Sequence, residues 1–192
     1  MDRQIEKNYN KDVFQLVAQY ILQQYFGESY IDFNMLESPD LQNEISNIGV
    51  EVTLVCDQNY TEKSKHYLKH GGDAPFGVYG DKDIIEAMIK SYDDKILKLN
   101  TNYRIFNRNE LFLIVKIAGI YQEDITKFLT IIKGKKYATY KYCFDKIYIL
   151  NCFNRELFIC DCKKEAKILG AILLKDLEQI VEKSQNDFCN TK

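Results

Sequence analysis

The chain has no tryptophan, only two prolines and two histidines, and no long uninterrupted apolar run. A membrane-spanning helix needs about 20 consecutive apolar residues, so none is expected. With so little proline and no Ser-rich tract there is no sign of a stiff or flexible linker. The 192 residues therefore read as a single domain, 1–192, long enough to bury a core. The formal net charge of -2 excludes a basic footprint spread over the whole surface, so any nucleic-acid surface must be a local patch. Met1-Asp2-Arg3-Gln4 does not open a signal peptide. The chain is thus expected to be cytoplasmic with reduced thiols. Its six cysteines, at 56, 143, 152, 160, 162 and 189, lack the paired C-x₂₋₄-C spacing of structural zinc. Cys160-Asp161-Cys162 reads instead as buried strand cysteines.

What is present is a globular pattern, 46% hydrophobic and 28% charged. Val13, Phe14, Leu16, Val17, Tyr20 and Ile21 recur at helical spacing and predict a helix over 12–26, stopped by Gly27. Residues 31–36 alternate as a strand, 40–42 form a short strand, and 48–55 form a strong one rich in β-branched residues. A polar, Gly-rich stretch over 57–80 reads as a long loop. Asp81 or Asp83 then caps a helix running to about Asn100. A buried strand over 111–117, a short helix over 123–132, strands over 146–150 and 156–160, and an amphipathic helix over 173–183 complete the chain. Strands first, then a crossover helix to a further strand, predict an α/β fold with a mixed sheet.

Chemistry concentrates at Ser38-Pro39-Asp40-Leu41 and Glu51-Val52-Thr53. Residues two apart on a strand share a face, so Glu51 and Thr53 point the same way. A strand carrying Asp40 antiparallel to this one brings two carboxylates together. Two carboxylates suit a hard cation such as Mg²⁺ (or Mn²⁺), with waters and substrate phosphate completing its shell. A glutamate between Val50 and Val52 is otherwise an unusual strand residue.

These residues resemble the PD-(D/E)xK, or restriction-endonuclease-like, nuclease superfamily. Pro39-Asp40 followed by Glu51-Val52-Thr53 lies within an αβββαβ order over residues 12–117. The phrase Ile48-Gly49-Val50-Glu51-Val52-Thr53 looks like a bacterial subgroup whose motif ends in Glu-x-Thr. The resemblance implies an endonuclease acting on DNA, often as a homodimer. It assigns metal binding to Asp40, Glu51 and the Val52 carbonyl, and water activation to position 53. The remainder, from about 118 onward, is a C-terminal extension with no matching motif. Thr53 departs from the family's lysine and cannot supply an ammonium charge. Either a lysine has moved elsewhere in the fold or the chain is a catalytically silent module that binds nucleic acid or protein.

At 100° per residue, the apolar face of the 83–100 helix centres near Ile85, Met88 and Tyr92, and Lys95 falls about 60° from it. Lys95 is therefore the lysine expected to reach over the sheet toward Glu51, whereas Lys90 and Lys98 point farther from that centre. Its plainer reading is a lysine whose stem covers apolar surface while its head stays wet. Glu6, on the face of Val13 and Val17 if the first helix starts early, is a supporting acid by the resemblance and otherwise a first-turn acid favoured by the helix dipole. His66 and His70 stand four apart but read best as part of a solvated basic loop. The segment from Lys133 to Tyr142 interleaves four lysines with three tyrosines. Lys135, Lys136 and Lys141 there are candidate nucleic-acid contacts, or a solvated loop after a helix.

Overall fold

A computed structural model describes residues 3–55, 81–116, 120–163 and 165–190. Its centre is a run of three parallel strands, β3 (Ile48–Val55), β4 (Arg108–Val115) and β5 (Lys146–Asn151). Strands covered on both faces read as continuous apolar runs, and Leu111–Val115 is such a run, with every residue almost wholly buried. On one side β2 (Leu41–Asn43) and β1 (Asn34–Met35) add antiparallel; on the other, β6 (Glu156–Asp161) and β7 (Lys167–Leu173) do the same. The result is a seven-stranded mixed sheet in sequential order β1 to β7.

Helices cover both faces. α1 (Arg3–Phe26) and α4 (Leu177–Asn190) pack on the face of Val50, Val52, Phe112 and Ile114. α2 (Asp81–Thr101) and α3 (Gln122–Thr139) pack on the face of Val55, Leu111, Leu113 and Ile149. The fold is thus α/β, and among the described residues no helix is long and apolar enough to cross a membrane. α1 ends where Gly27 takes φ +73°, the left-handed conformation that glycine adopts without steric cost.

Several elements differ from expectation: α1 begins at Arg3 instead of 12, and the closing helix runs Leu177–Asn190 instead of 173–183. The strand expected over 31–36 is reduced to Asn34–Met35, because Asp32 turns the chain at φ +62° and the Leu36 amide bonds back to the Asp40 carbonyl. The fourth strand begins at Arg108, three residues earlier than expected, and so takes in Glu110. The helix expected over 123–132 continues to Thr139, since Gly134 lies on a solvent-facing position where it costs only about 1 kcal/mol relative to Ala. The basic, aromatic segment from Lys133 is therefore helical for most of its length. β7 occupies a stretch whose pattern suggests a connection and a helix start; its positions alternate only between exposed and half-buried, and its register with β6 shifts at Ile159 and Cys160. No disulfide forms among the described cysteines, and Cys160 and Cys162 are core residues.

One close approach onto β3 comes from residues flanking its neighbouring strands. A Cβ on Gly49 would lie 2.6 Å from Phe106 Cδ2 and 2.7 Å from Pro39 Cγ. Both are parts of rings and cannot swing aside. Gly49→Ala is expected to cost about 1–3 kcal/mol by overpacking, read as a lower urea midpoint with an unchanged slope.

Candidate active site

Glu51 lies midway along β3 on the face toward α2, and only 2% of it is exposed. The β2–β3 ladder pairs Leu41 with Val50, so the next step along places Asp40 beside Glu51. Asp40 is itself buried. β2 pairs with β3 only through Val50, which leaves the following stretch of that edge without a strand partner from β2. Asp40 closes it: its Oδ2 accepts the Val52 amide at 2.9 Å, and its Oδ1 accepts Gln15 Nε2 from α1 at 2.7 Å. A strand residue's N–H and C=O emerge on the same edge. The Val52 carbonyl therefore leaves β3 on the side that Asp40 occupies.

α2 crosses this face and delivers Lys95, whose ammonium pairs with Glu51 Oε1. The other oxygen, Oε2, is buried and meets no hydrogen-bond donor among the described residues. Tyr103, in the turn after α2, approaches the same carboxyl and favours its charged form. Burial pushes the Glu51 carboxyl above its ordinary value of 4.5; Lys95 opposes this, and the charge on Asp40 adds to it. The Tyr103 hydroxyl is pushed up as well, by burial first and then by Glu51.

Thr53 is half-buried on the face of Glu51 and lines a groove of about 400 Å³ between β3 and α2. Lys90, Lys95 and Lys98 line the same groove. The structure thus gathers Asp40, Glu51, Val52, Thr53 and Lys95 in one place. Lys141 is exposed, with Nζ 4.9 Å from the centre of the Tyr142 ring, and Tyr142 is bonded through its backbone to Asn100 at the end of α2. The side chains of Glu6, Lys135 and Lys136, and the whole of His66 and His70, lie outside the described residues.

Sequence reasoning missed Gln15 and Tyr103. Gln15 carried a signal, a polar residue inside the apolar stretch Val13–Val17; Tyr103 carried none. It also missed a second buried acid, Glu110, on the opposite face of the sheet. Tyr30 Oη lies 3.1 and 3.0 Å from its two oxygens, Arg108 Nε donates to Oε1 at 2.8 Å, and Tyr148 Oη is 2.7 Å from Tyr30 Oη. Burial raises the Glu110 carboxyl, while Arg108 and Lys146 lower it.

Comparison with protein-family models, curated proteins and solved structures returned no match. Among the described residues no three His, Cys, Asp or Glu side chains converge, so a cation here would rest on two carboxylates. That donor set fits Mg²⁺, which keeps several waters and takes one or two protein carboxylates. The open, buried Oε2 of Glu51 is the position such a cation would satisfy.

The Lys95–Glu51 pairing has a pH signature. Lys95→Met removes the largest influence opposing the raised Glu51 pKa and leaves Asp40 pushing it higher. The folded variant then holds a proton that the unfolded chain releases near the ordinary value of 4.5, so its stability falls as pH rises. The loss relative to wild type is expected to be about 3 kcal/mol at about pH 8, as for an uncompensated buried charge, and clearly smaller at about pH 5. Urea unfolding at the two pH values checks this; equal losses would show that Lys95 does not offset the Glu51 charge.

Proposed function

We propose that the chain is a metal-dependent phosphodiesterase, an endonuclease acting on DNA, with α1, β1–β3, α2 and β4 as a restriction-endonuclease-like core. One observation carries the reading: position 53 lacks a lysine, yet Lys95 from α2, packed over the same face, supplies an ammonium to Glu51. The positive charge such a site needs is thus present, mounted on a helix instead of the strand.

Asp40, Glu51 and the Val52 carbonyl would hold Mg²⁺ or Mn²⁺, which when bound polarises the phosphoryl oxygen and lowers the pKa of a bound water. The remaining work falls to the chain itself. Gln15 and the Val52 amide fix the Asp40 carboxylate, so that its orientation does not depend on the ligand. Lys95 can donate a hydrogen bond to the attacking water or a phosphate oxygen and offset charge that grows in the transition state. Thr53 offers a hydroxyl beside the same position and no charge. Raised by burial, Glu51 is protonated on acidification before an ordinary glutamate would be.

A second reading has its own support. Lys95 already neutralises one oxygen of Glu51, and both Asp40 oxygens already accept hydrogen bonds. A catalytically silent module binding nucleic acid or a protein would need no more than this.

Incubating the purified chain with single- and double-stranded DNA and RNA, with Mg²⁺ or Mn²⁺, separates the two. Cleavage is expected on DNA and is lost with EDTA, with Asp40→Ala or with Glu51→Gln. Lys95→Ala is expected to lower kcat by about 10²–10³ with a smaller change in KM. No cleavage, or cleavage indifferent to Asp40→Ala, would leave the silent module as the function.

A further inference from the structure

A groove beside the Lys95–Glu51 pair concentrates positive charge. In a chain of net charge -2, three lysines, Lys90, Lys95 and Lys98, line one concavity of about 400 Å³. Among the described residues that line it, Asp94 is the one acid, and with Lys95 paired to Glu51 the two remaining lysines outnumber it. Lys95 belongs to the groove and to the acid pair at once, since its ammonium is bound to Glu51. Anything negative lying in the groove is therefore beside the lysine that holds Glu51. Leu97, 54% exposed, adds an apolar wall, and Ser91 a hydroxyl.

Spacing along the helix defines what fits. Eight residues separate Lys90 from Lys98, which at 1.5 Å per residue is about 12 Å. A nucleic-acid strand advances 3.4 Å per nucleotide along a helix axis, so the stretch from Lys90 to Lys98 is long enough for three successive phosphates, which span two such steps. We propose that the DNA strand lies along α2 in this groove, with Lys90 and Lys98 holding the phosphates on either side of the one at Lys95. The sugar between them rests on Leu97. The choice of DNA as occupant rests on the nuclease reading; the groove's preference for a phosphodiester chain rests on its own charge and length. Thr53 has a place in this arrangement: a shorter, uncharged side chain at that position keeps the groove floor open beside the acids.

Binding without metal tests the groove separately from catalysis. Fluorescence anisotropy of a short fluorescein-labelled single-stranded DNA, and of its duplex, is measured in EDTA over a series of salt concentrations. The Lys90→Ala/Lys98→Ala double variant is expected to bind about tenfold or more weakly, and to flatten the slope of log K against log salt by about two, one for each phosphate left without its lysine. Lys90→Arg/Lys98→Arg is expected to retain binding. Lys167→Ala/Lys175→Ala, which removes the same charge from exposed positions outside the groove, is expected to change little. Thermal unfolding of each variant establishes that it is folded. Failure of the wild-type chain to bind, or equal weakening by the two alanine pairs, would overturn the proposal. Groove-dependent binding without Mg²⁺-dependent cleavage would uphold it while removing the nuclease reading; cleavage with an unaltered KM in the Lys90→Ala/Lys98→Ala variant would do the reverse.

Discussion

The structure around the site turns on one electrostatic constraint: two buried carboxylates, Asp40 and Glu51, stand on neighbouring strands and need positive charge between and around them. Like charges in a low-dielectric interior cannot both ionise without compensation. Three features of the fold answer this. β2 stops pairing at Val50, so the Val52 amide is left to donate to Asp40. α1 buries a glutamine, Gln15, that would otherwise be wasted inside an apolar face. α2 crosses the sheet at a height that puts Lys95 on Glu51. Beside the pair, Gly49 leaves room for the rings of Phe106 and Pro39 to pack against β3.

Much of this was legible in the sequence where a single physical rule governs a residue. Helical geometry alone separates Lys95 from Lys90 and Lys98, because the apolar face of α2 fixes how the helix lies on the sheet. The strand phase of Glu51 follows from its neighbours Val50 and Val52, which must face α1. Gly27 ends α1 for the backbone reason its residue type announces. Elements defined by tertiary context were not legible. β7 alternates between exposed and half-buried positions and carries a glycine, so its periodicity is weak until β6 supplies a partner. α3 runs through Gly134 because the rest of the helix carries it, a cost invisible to a local reading. Tyr103 reaches Glu51 only through the turn that follows α2.

Glu110 explains why the open oxygen of Glu51 bears weight. Each acid lies in the sheet core, nearly inaccessible, and burial raises both carboxyls. At Glu110 the fold responds with a closed network: Tyr30 contacts both oxygens, Arg108 donates to one of them, and Tyr148 steadies Tyr30. Every acceptor is met, as is usual for a buried polar group. Glu110 is thus a structural acid, and the chain evidently can satisfy a buried glutamate in full.

At Glu51 the same fold leaves the task unfinished. Lys95 meets one oxygen and none of the described residues donates to the other, although an unmet buried acceptor costs about 1–3 kcal/mol. A protein that retains such a cost at one acid while eliminating it at another, on the other face of one sheet, has kept an acceptor unmet on the carboxylate whose lysine partner also lines the groove. The lysine groove and the open carboxylate oxygen have complementary requirements, an anion for the first and a cation for the second. A phosphodiester chain with a divalent cation meets both at once, and neither partner alone does.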